Sequence, residues 1–414
     1  MKQLRKIIRT IFHPDHLIVS VLTVAFMALL YSIIHGLEFM NPVDKLINDL
    51  SMIDIYYRIN NSGEARENQQ TTIVDITDLS VRQRDSIGQV VRQVVEMEPA
   101  VLGVDVIFER EGLDEQADTE LVLAFLDSSA ADSVPIVLAE QLFDYQEDAH
   151  AYGSVQHSFF AADVGLPEGC INGMSDQNQS LSSYPVYQLH GTDTVYSLPA
   201  VMAEMLSGQR VVPDIGNMHV INYRGERFPV VDYRDLPRSR HLIEGRNVLI
   251  GTHDQHDSHQ TPIGPKPGVV VIAHTLDSML QGSHVFHGGQ FWIVLVAIIA
   301  GYLMNLFEYT VTWGVRRGIP RLFKKRGNLL LDFFTESELY DKVVAFIFMV
   351  IFTGFTYWLF FRHGFYVNTW LALATIAFIE EGRLIYKAWL SYRRKKGHRR
   401  AGSYSLYAHE LEEK

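Results

Sequence analysis

Residues 17–34, LIVSVLTVAFMALLYSII, form an apolar run without a single charge. Two more runs of this kind lie at 291–307 (FWIVLVAIIAGYLMNLF) and 343–361 (VVAFIFMVIFTGFTYWLFF), and a shorter one at 365–379 (FYVNTWLALATIAFI). A bilayer core of about 30 Å takes roughly 20 apolar helical residues. The pattern therefore predicts four transmembrane helices, at 17–35, 290–307, 342–361 and 365–381, the last ending on Glu380 and Glu381 at the interface. The first run follows a basic leader, 1–16, but its exit, YSIIHGLEFM, has no small-x-small cleavage pattern, so it reads as an uncleaved anchor rather than a signal peptide.

Between the first and second spans the period changes. Residues 42–59 place Leu46, Ile47, Leu50, Ile53 and Tyr57 on one helical face. TTIVDI (71–76) reads as a buried strand, and Ser80 opens a helix reaching Glu98, with Val90, Val91, Val94 and Val95 inward and Pro99 as its stop. Strand AVLGVDVIF, a helix over 118–127 and strand PIVLAE (135–140) follow. Residues 141–196, rich in Gly, Ser, Asn and Asp, predict loops with one or two strands. Then come helix SLPAVMAEML, strands HVINYR and NVLIGT, and helix VVVIAHTLDSML. Strand–helix alternation of this kind predicts an α/β domain over 36–289, a mostly parallel sheet flanked by helices.

Charge orients the chain. The leader holds four Lys/Arg, the 308–341 loop six and the 382–414 tail nine, so the positive-inside rule puts both termini and that loop in the cytoplasm. The domain then faces outward, into a bacterial periplasm, with an inner-membrane protein as the whole. Residues 36–289 carry 15 Lys/Arg against 37 Asp/Glu, net −22, which argues against nucleic acid and anionic lipid as partners of that domain. A single cysteine, Cys170, allows no internal disulfide, so a packed core has to hold the domain.

Candidate chemistry collects where strands should end. Asp75, Asp78 and Asp105 stand at or near the carboxyl ends of predicted strands, where open parallel sheets bind ligands. Asp75 and Asp105 interrupt apolar runs, a costly placement unless the carboxylate is paired or bound to a cation. The stretch GTHDQHDSHQTPIGPKPG follows NVLIG. His253, His256 and His259 there recur every third residue, matching neither a helical His pair nor HExxH. A solvated polar loop is the main reading of these three and a metal site the alternative. His274 lies inside an apolar helix, either as a core histidine or in a polar pocket with Asp257, Asp75 or Asp105. No GxSxG, Cys–His arrangement or phosphate-cradling glycine loop is present, and neither enzyme activity nor a cofactor is expected.

The ordered set IDIYYRI, IVDITDLS, VLGVDVIF, SLPAVMAEML, INYRG, NVLIGT and HDSHQTPIGPKPGVVVIAHTLDSML, with one span before it and several after, resembles the type-two CHASE domain of bacterial transmembrane receptors over roughly residues 40–285. The resemblance implies an extracellular ligand-sensing domain of unknown ligand. It maps the family's recurrent positions onto Asp54, Arg58, Asp75, Asp78, Ser80, Asp105, Ser197, Leu198, Gly251, Asp257, Thr261, Pro262, Gly268 and His274. It thereby supports a pocket of Asp75, Asp78, Asp105, Asp257, Thr261 and His274. Two departures stand out. Only about 30 residues follow the last span, where family members usually continue into an effector domain, and the middle region reads DQNQSLSSYP instead of an aspartate–glycine turn followed by arginine. The expected function is a transmembrane sensor or adaptor acting on a separate cytoplasmic effector, in a layout often found as a homodimer. The alternatives are a pH- or metal-responsive variant with His274 and the loop histidines titrating near neutrality, a metal-dependent periplasmic hydrolase, and a structural membrane component without a small ligand.

Overall fold

The computed structural model describes residues 11–35, 57, 66–130, 134–173, 180–214, 216–223, 226–254, 257–282, 286–287, 290–322, 338–363, 365–366, 369–395 and 405–406. The chain divides into two compact units, Ile53–Phe286 and the remainder formed by Met1–Met52 with His287–Lys414. The predicted 42–59 helical face, with Asp54 and Arg58, lies outside the described residues except for Tyr57. That side chain is buried, and its hydroxyl donates to the Ile221 carbonyl at 3.3 Å.

The Ile53–Phe286 unit is built on a nine-stranded sheet. Its strands are β1 (Thr71–Asp75), β2 (Val101–Val104), β3 (Ile136–Gln146), β4 (Ala151–Gln156), β5 (Glu168–Cys170), β6 (Tyr187–His190), β7 (Asp193–Tyr196), β8 (Val230–Asp232) and β9 (Asn247–Gly251). The order is β8-β1-β9-β2-β3-β4-β6-β7, with β5 also paired to β3. From β8 to β3, and at β5, all pairings are parallel. Beyond residue 140, β3 continues into an antiparallel pairing with β4, so one strand belongs to both a parallel core and an outer wing.

Side-chain alternation along the central strands explains the layers. Val74, Leu102, Val104, Ile136, Leu138, Val248 and Ile250 pack on one face with Ile87, Val90, Val91 and Val94 of α1 (Arg84–Val95) and with Leu121 and Phe125 of α2 (Glu115–Ala130). Ile73, Val101, Val137 and Leu249 face the other way. They meet Leu198, Met202 and Ala203 of α3 (Leu198–Ser207) and Val269, Ile272, Ala273 and Leu276 of α4 (Gly268–Gln281). Burial on both faces is why the strands read as continuous apolar runs. The helix predicted from Ser80 begins four residues later. Ser80 and Gln83 instead form the preceding turn, in which the Ser80 amide donates to Gln83 Oε1 at 2.9 Å. Strand HVINYR is also shorter than predicted. Met218–Val220 pairs antiparallel with Ser183–Pro185, outside the main sheet.

One glycine in the core is required by close approach. A Cβ on Gly103 would come within 2.5 Å of Met202 Sδ and 2.8 Å of a Leu249 methyl, so α3 lies against β2 only because no side chain stands there. Gly103→Ala is expected to destabilise the unit by about 1–3 kcal/mol through overpacking, measured as a lowered melting temperature. At the opposite, amino edge of the sheet, buried Asp277 accepts from Asn68 Nδ2 and from Thr71 Oγ1 (2.5 Å), tying α4 to the start of β1.

The other unit contains the helices Pro14–His35, Gln290–Leu322, Glu338–His363, Trp370–Ala377 and Ile379–Lys395. Two of its segments, Phe291–Thr310 and Lys342–His363, are long and apolar enough to cross a membrane. The span predicted at 290–307 continues as helix to Leu322, into the region expected to be a loop. The stretch predicted as a single span at 365–381 is broken instead: Phe365–Tyr366 is extended, Trp370–Ala377 is a short helix, and Phe378 separates it from Ile379–Lys395. Small residues allow close helix packing within this unit. A Cβ on Gly301 would meet Thr375 at 2.8 Å and Ser20 at 3.2 Å.

Candidate functional site

Parallel strands bring their carboxyl ends to one edge, and the register there is shared. Asp232 of β8 is opposite Asp75 of β1, and Asp75 is opposite Gly251 of β9. On the far side of β9, Ile250 is opposite Val104, and the Asp105 amide donates to the Ile250 carbonyl at 2.8 Å. A row of Asp232, Asp75, Gly251 and Asp105 thus crosses the edge, with glycine between the last two aspartates. A Cβ at Gly251 would lie 3.2 Å from that of Asp105 and 3.0 Å from Val269.

Asp75 is held by its neighbours. One carboxylate oxygen accepts from the Thr77 amide (2.9 Å), the Thr77 hydroxyl (2.6 Å) and the His253 amide (3.2 Å). The histidine loop therefore docks on β1 through its backbone. Asp75, Thr77, Asp78, Asp232, Tyr233, His253 and Asp254 line an open cleft of about 230 Å³. Arg234 bridges two of the lining carboxylates. Its guanidinium reaches Asp232 at 2.5 Å and Asp78 at 2.7 Å and lies over the Tyr233 ring at 5.4 Å. Hydrogen bonds from Arg234 hold the Asp232 carboxyl down at about 2. Four carboxylates against one guanidinium make a cleft that favours cations and hydroxyl-rich molecules.

Asp105, at the end of this row, is coupled to a further carboxylate, Asp257. Asp105 is partly exposed but densely surrounded by protein. Desolvation, then the charge of Asp257, raise its carboxyl to about 7. Asp257 lies against the first turn of α4, where a Cβ on Gly268 would come 2.9 Å from its Oδ2. The amino end of a helix is favourable for a carboxylate. Thr261 is buried in a turn, its hydroxyl donating to the Gly264 carbonyl at 2.5 Å.

His274 is placed differently from the predicted pocket. It is buried among aromatic rings, 5.0 Å from Tyr223 and 4.7 Å from Phe228 between centroids. Burial, aided by the charge of Lys266, lowers its imidazole to about 3. The residue stays neutral at physiological pH, which removes the expectation that it titrates near neutrality. Of the loop histidines, His256 lies outside the described residues. His259 stands 3.8 Å from Asp257 and His253 lines the aspartate cleft. Among the described residues the potential metal ligands that converge are Glu140, His157 and Glu168, none of which the sequence pattern singled out.

Asp232, Tyr233 and Arg234 were missed as well. A signal was available: IVD (73–75), GVD (103–105) and VVD (230–232) are three apolar runs ending in Val-Asp, and each is a parallel strand or its immediate exit. Cys170 at the end of β5 is fully buried and its thiol is pushed up to about 12 by burial and by Glu140, so it is no nucleophile.

Neither a curated protein nor a solved structure matches the chain. The family model described as the CHASE2 domain matches residues 21–306, well over half of the sequence, and no effector-domain family is found in the chain. With its α/β architecture and carboxylate-lined strand edge, this chain belongs to the CHASE2 domain family, a family of extracellular sensory domains.

Proposed function

We propose that this chain is a membrane-anchored sensor. Its α/β domain binds a small cationic or hydroxyl-rich molecule in the cleft of Asp75, Asp78, Asp232 and Asp254, and its helices pass the event to a separate cytoplasmic protein. The observation that carries this reading is the cleft's position at the carboxyl edge of the parallel sheet, where open α/β sheets bind ligands, in a sensory family. In this reading four helices cross a bacterial inner membrane, the domain lies in the periplasm, and the basic segments 308–341 and 382–414 face the cytoplasm. The chain acts as a homodimer and catalyses no reaction. A ligand alters the inner face only by binding two states of the domain unequally.

The test uses the detergent-solubilised full chain and its Asp75→Asn and Asp232→Asn variants, screened by thermal melting against amines, amino acids and sugars. One class is expected to raise the melting temperature of the wild type, with about 2.7 kcal/mol of stabilisation at a concentration 100 times Kd, and to lose that effect in both variants. A screen without any shift would favour a structural membrane component. Co-purification with and without residues 382–414 identifies the partner, and recovery of the same partner without the tail would remove the tail from the reading.

A further inference from the structure

We infer that Glu140, His157 and Glu168 form a binding site for a divalent transition-metal ion of the zinc type, at the junction between the parallel core and the outer wing. This site is separate from the aspartate cleft and goes beyond the sensor reading.

The fold assembles the trio from three elements. Glu140 stands on β3 where its pairing changes from β5 to β4, Glu168 begins β5, and His157 directly follows β4. Strand register accounts for the convergence, because Leu138 is opposite Glu168 and Glu140 is opposite Cys170. One ligand atom from each side chain lies within 4.8 Å of the other two. His157 Nδ1 is 2.7 Å from Glu168 Oε2 and 3.1 Å from Glu140 Oε2.

The second observation concerns how Glu140 is satisfied. Its side chain is more than nine-tenths buried, and the cationic partner it meets among the described residues is the half-exposed His157 imidazole, 3.1 Å away. The other buried carboxylates of the unit are served differently. Asp277 has Asn68 and Thr71, and Asp118 has Arg84 and the Gly112 amide. A buried carboxylate is costly without a counter-charge. A second carboxylate stands beside this one, with no lysine or arginine in the set. Burial and the charge of Glu168 raise Glu140 to about 7, in keeping with two like charges sharing a site.

The donor set decides the kind of ion. One imidazole nitrogen and two carboxylate oxygens suit zinc-type ions, which take three protein ligands and keep a further position for water, whereas calcium and magnesium favour oxygen ligands alone. His157 is half-exposed, which leaves a path for the ion to enter. Bound there, the ion would pin the β4 wing to β3 and β5.

The experiment is equilibrium dialysis of the detergent-solubilised full chain against micromolar Zn²⁺, with bound metal counted by elemental analysis and thermal melts run in parallel. The wild type is expected to hold one ion per chain and to melt higher with zinc. Glu140→Gln and Glu168→Gln, which keep shape and remove charge, are each expected to bind at least tenfold more weakly while retaining a cooperative melt without metal. His253→Ala/His259→Ala is expected to bind as the wild type does. No stoichiometric zinc in the wild type, undiminished binding in both glutamine variants, or loss of zinc in the loop double variant would each overturn the inference. Asp75→Asn leaves zinc binding unchanged in this account, so failure of the metal site and failure of the sensor reading are distinguishable.

Discussion

Asp105→Asn is expected to stabilise the α/β unit at pH 8 and to flatten its stability between about pH 4 and 7. The native carboxyl is raised from 3.8 to about 7, chiefly by desolvation and then by Asp257. In that window the folded state keeps a proton that the unfolded chain has released, so stability falls as pH rises through it and is level above it. A shift of about three units corresponds to at most ~4 kcal/mol, and the partial solvent access of Asp105 reduces this to about 1–3 kcal/mol. Glu140, raised to about 7 from 4.5, adds a contribution of the same sign, so part of the slope should survive in Asp105→Asn. Melting curves of wild type and variant at pH 5 and pH 8 decide the matter. Equal melting temperatures at pH 8 would mean that the Asp105 carboxylate is not held at a cost. A charge kept at such a cost beside the candidate cleft is the kind of stability–function trade that binding sites show.

The second large effect concerns a residue with no role in the cleft. Arg84, at the start of α1, pairs with Asp118 of α2 and donates to the Arg110 carbonyl, and both side chains are about nine-tenths buried. Its guanidinium stacks against Phe108 at 5.8 Å and Phe159 at 5.1 Å. Arg84→Met should cost about 3–5 kcal/mol, because Asp118 keeps its charge with only the Gly112 amide for a partner. For a unit of this size that is a fall in melting temperature of roughly 6–20 °C. Arg84→Met/Asp118→Leu should recover most of the loss, since an apolar pair of similar volume replaces a buried ion pair at little cost. If the double variant melts no higher than the single one, the uncompensated charge is not the source of the loss.

The alternation of strands and helices was legible because both sheet faces are covered. Runs such as TTIVD and NVLIG then have to be apolar throughout, and α1, α3 and α4 carry apolar stripes that meet them. Asp75 and Asp105 were legible for the same reason: a carboxylate ending an apolar run is conspicuous. Asp232 ends a strand of only three residues, too short to show a period, and the wing strands β4, β6 and β7 lie in half-exposed polar sequence. His274 was legible as unusual, but its partners were not. Its neighbours Tyr223 and Phe228 come from loops some fifty residues away in sequence, which periodicity cannot reach.

The sequence by itself determined the quantities that depend on composition and local period. These are apolar runs of membrane length, the acidic segment between the first two of them, the parallel α/β core and the presence of aspartates at strand ends. Only the tertiary structure decided which charges meet. Strand order β8-β1-β9-β2-β3 sets Asp232 beside Asp75 and places Gly251 between Asp75 and Asp105. The change of pairing along β3 brings Glu140, His157 and Glu168 together from positions up to 28 residues apart. Register and crossover order are long-range properties of the sheet, fixed by how both faces bury their side chains, and no local window of sequence contains them.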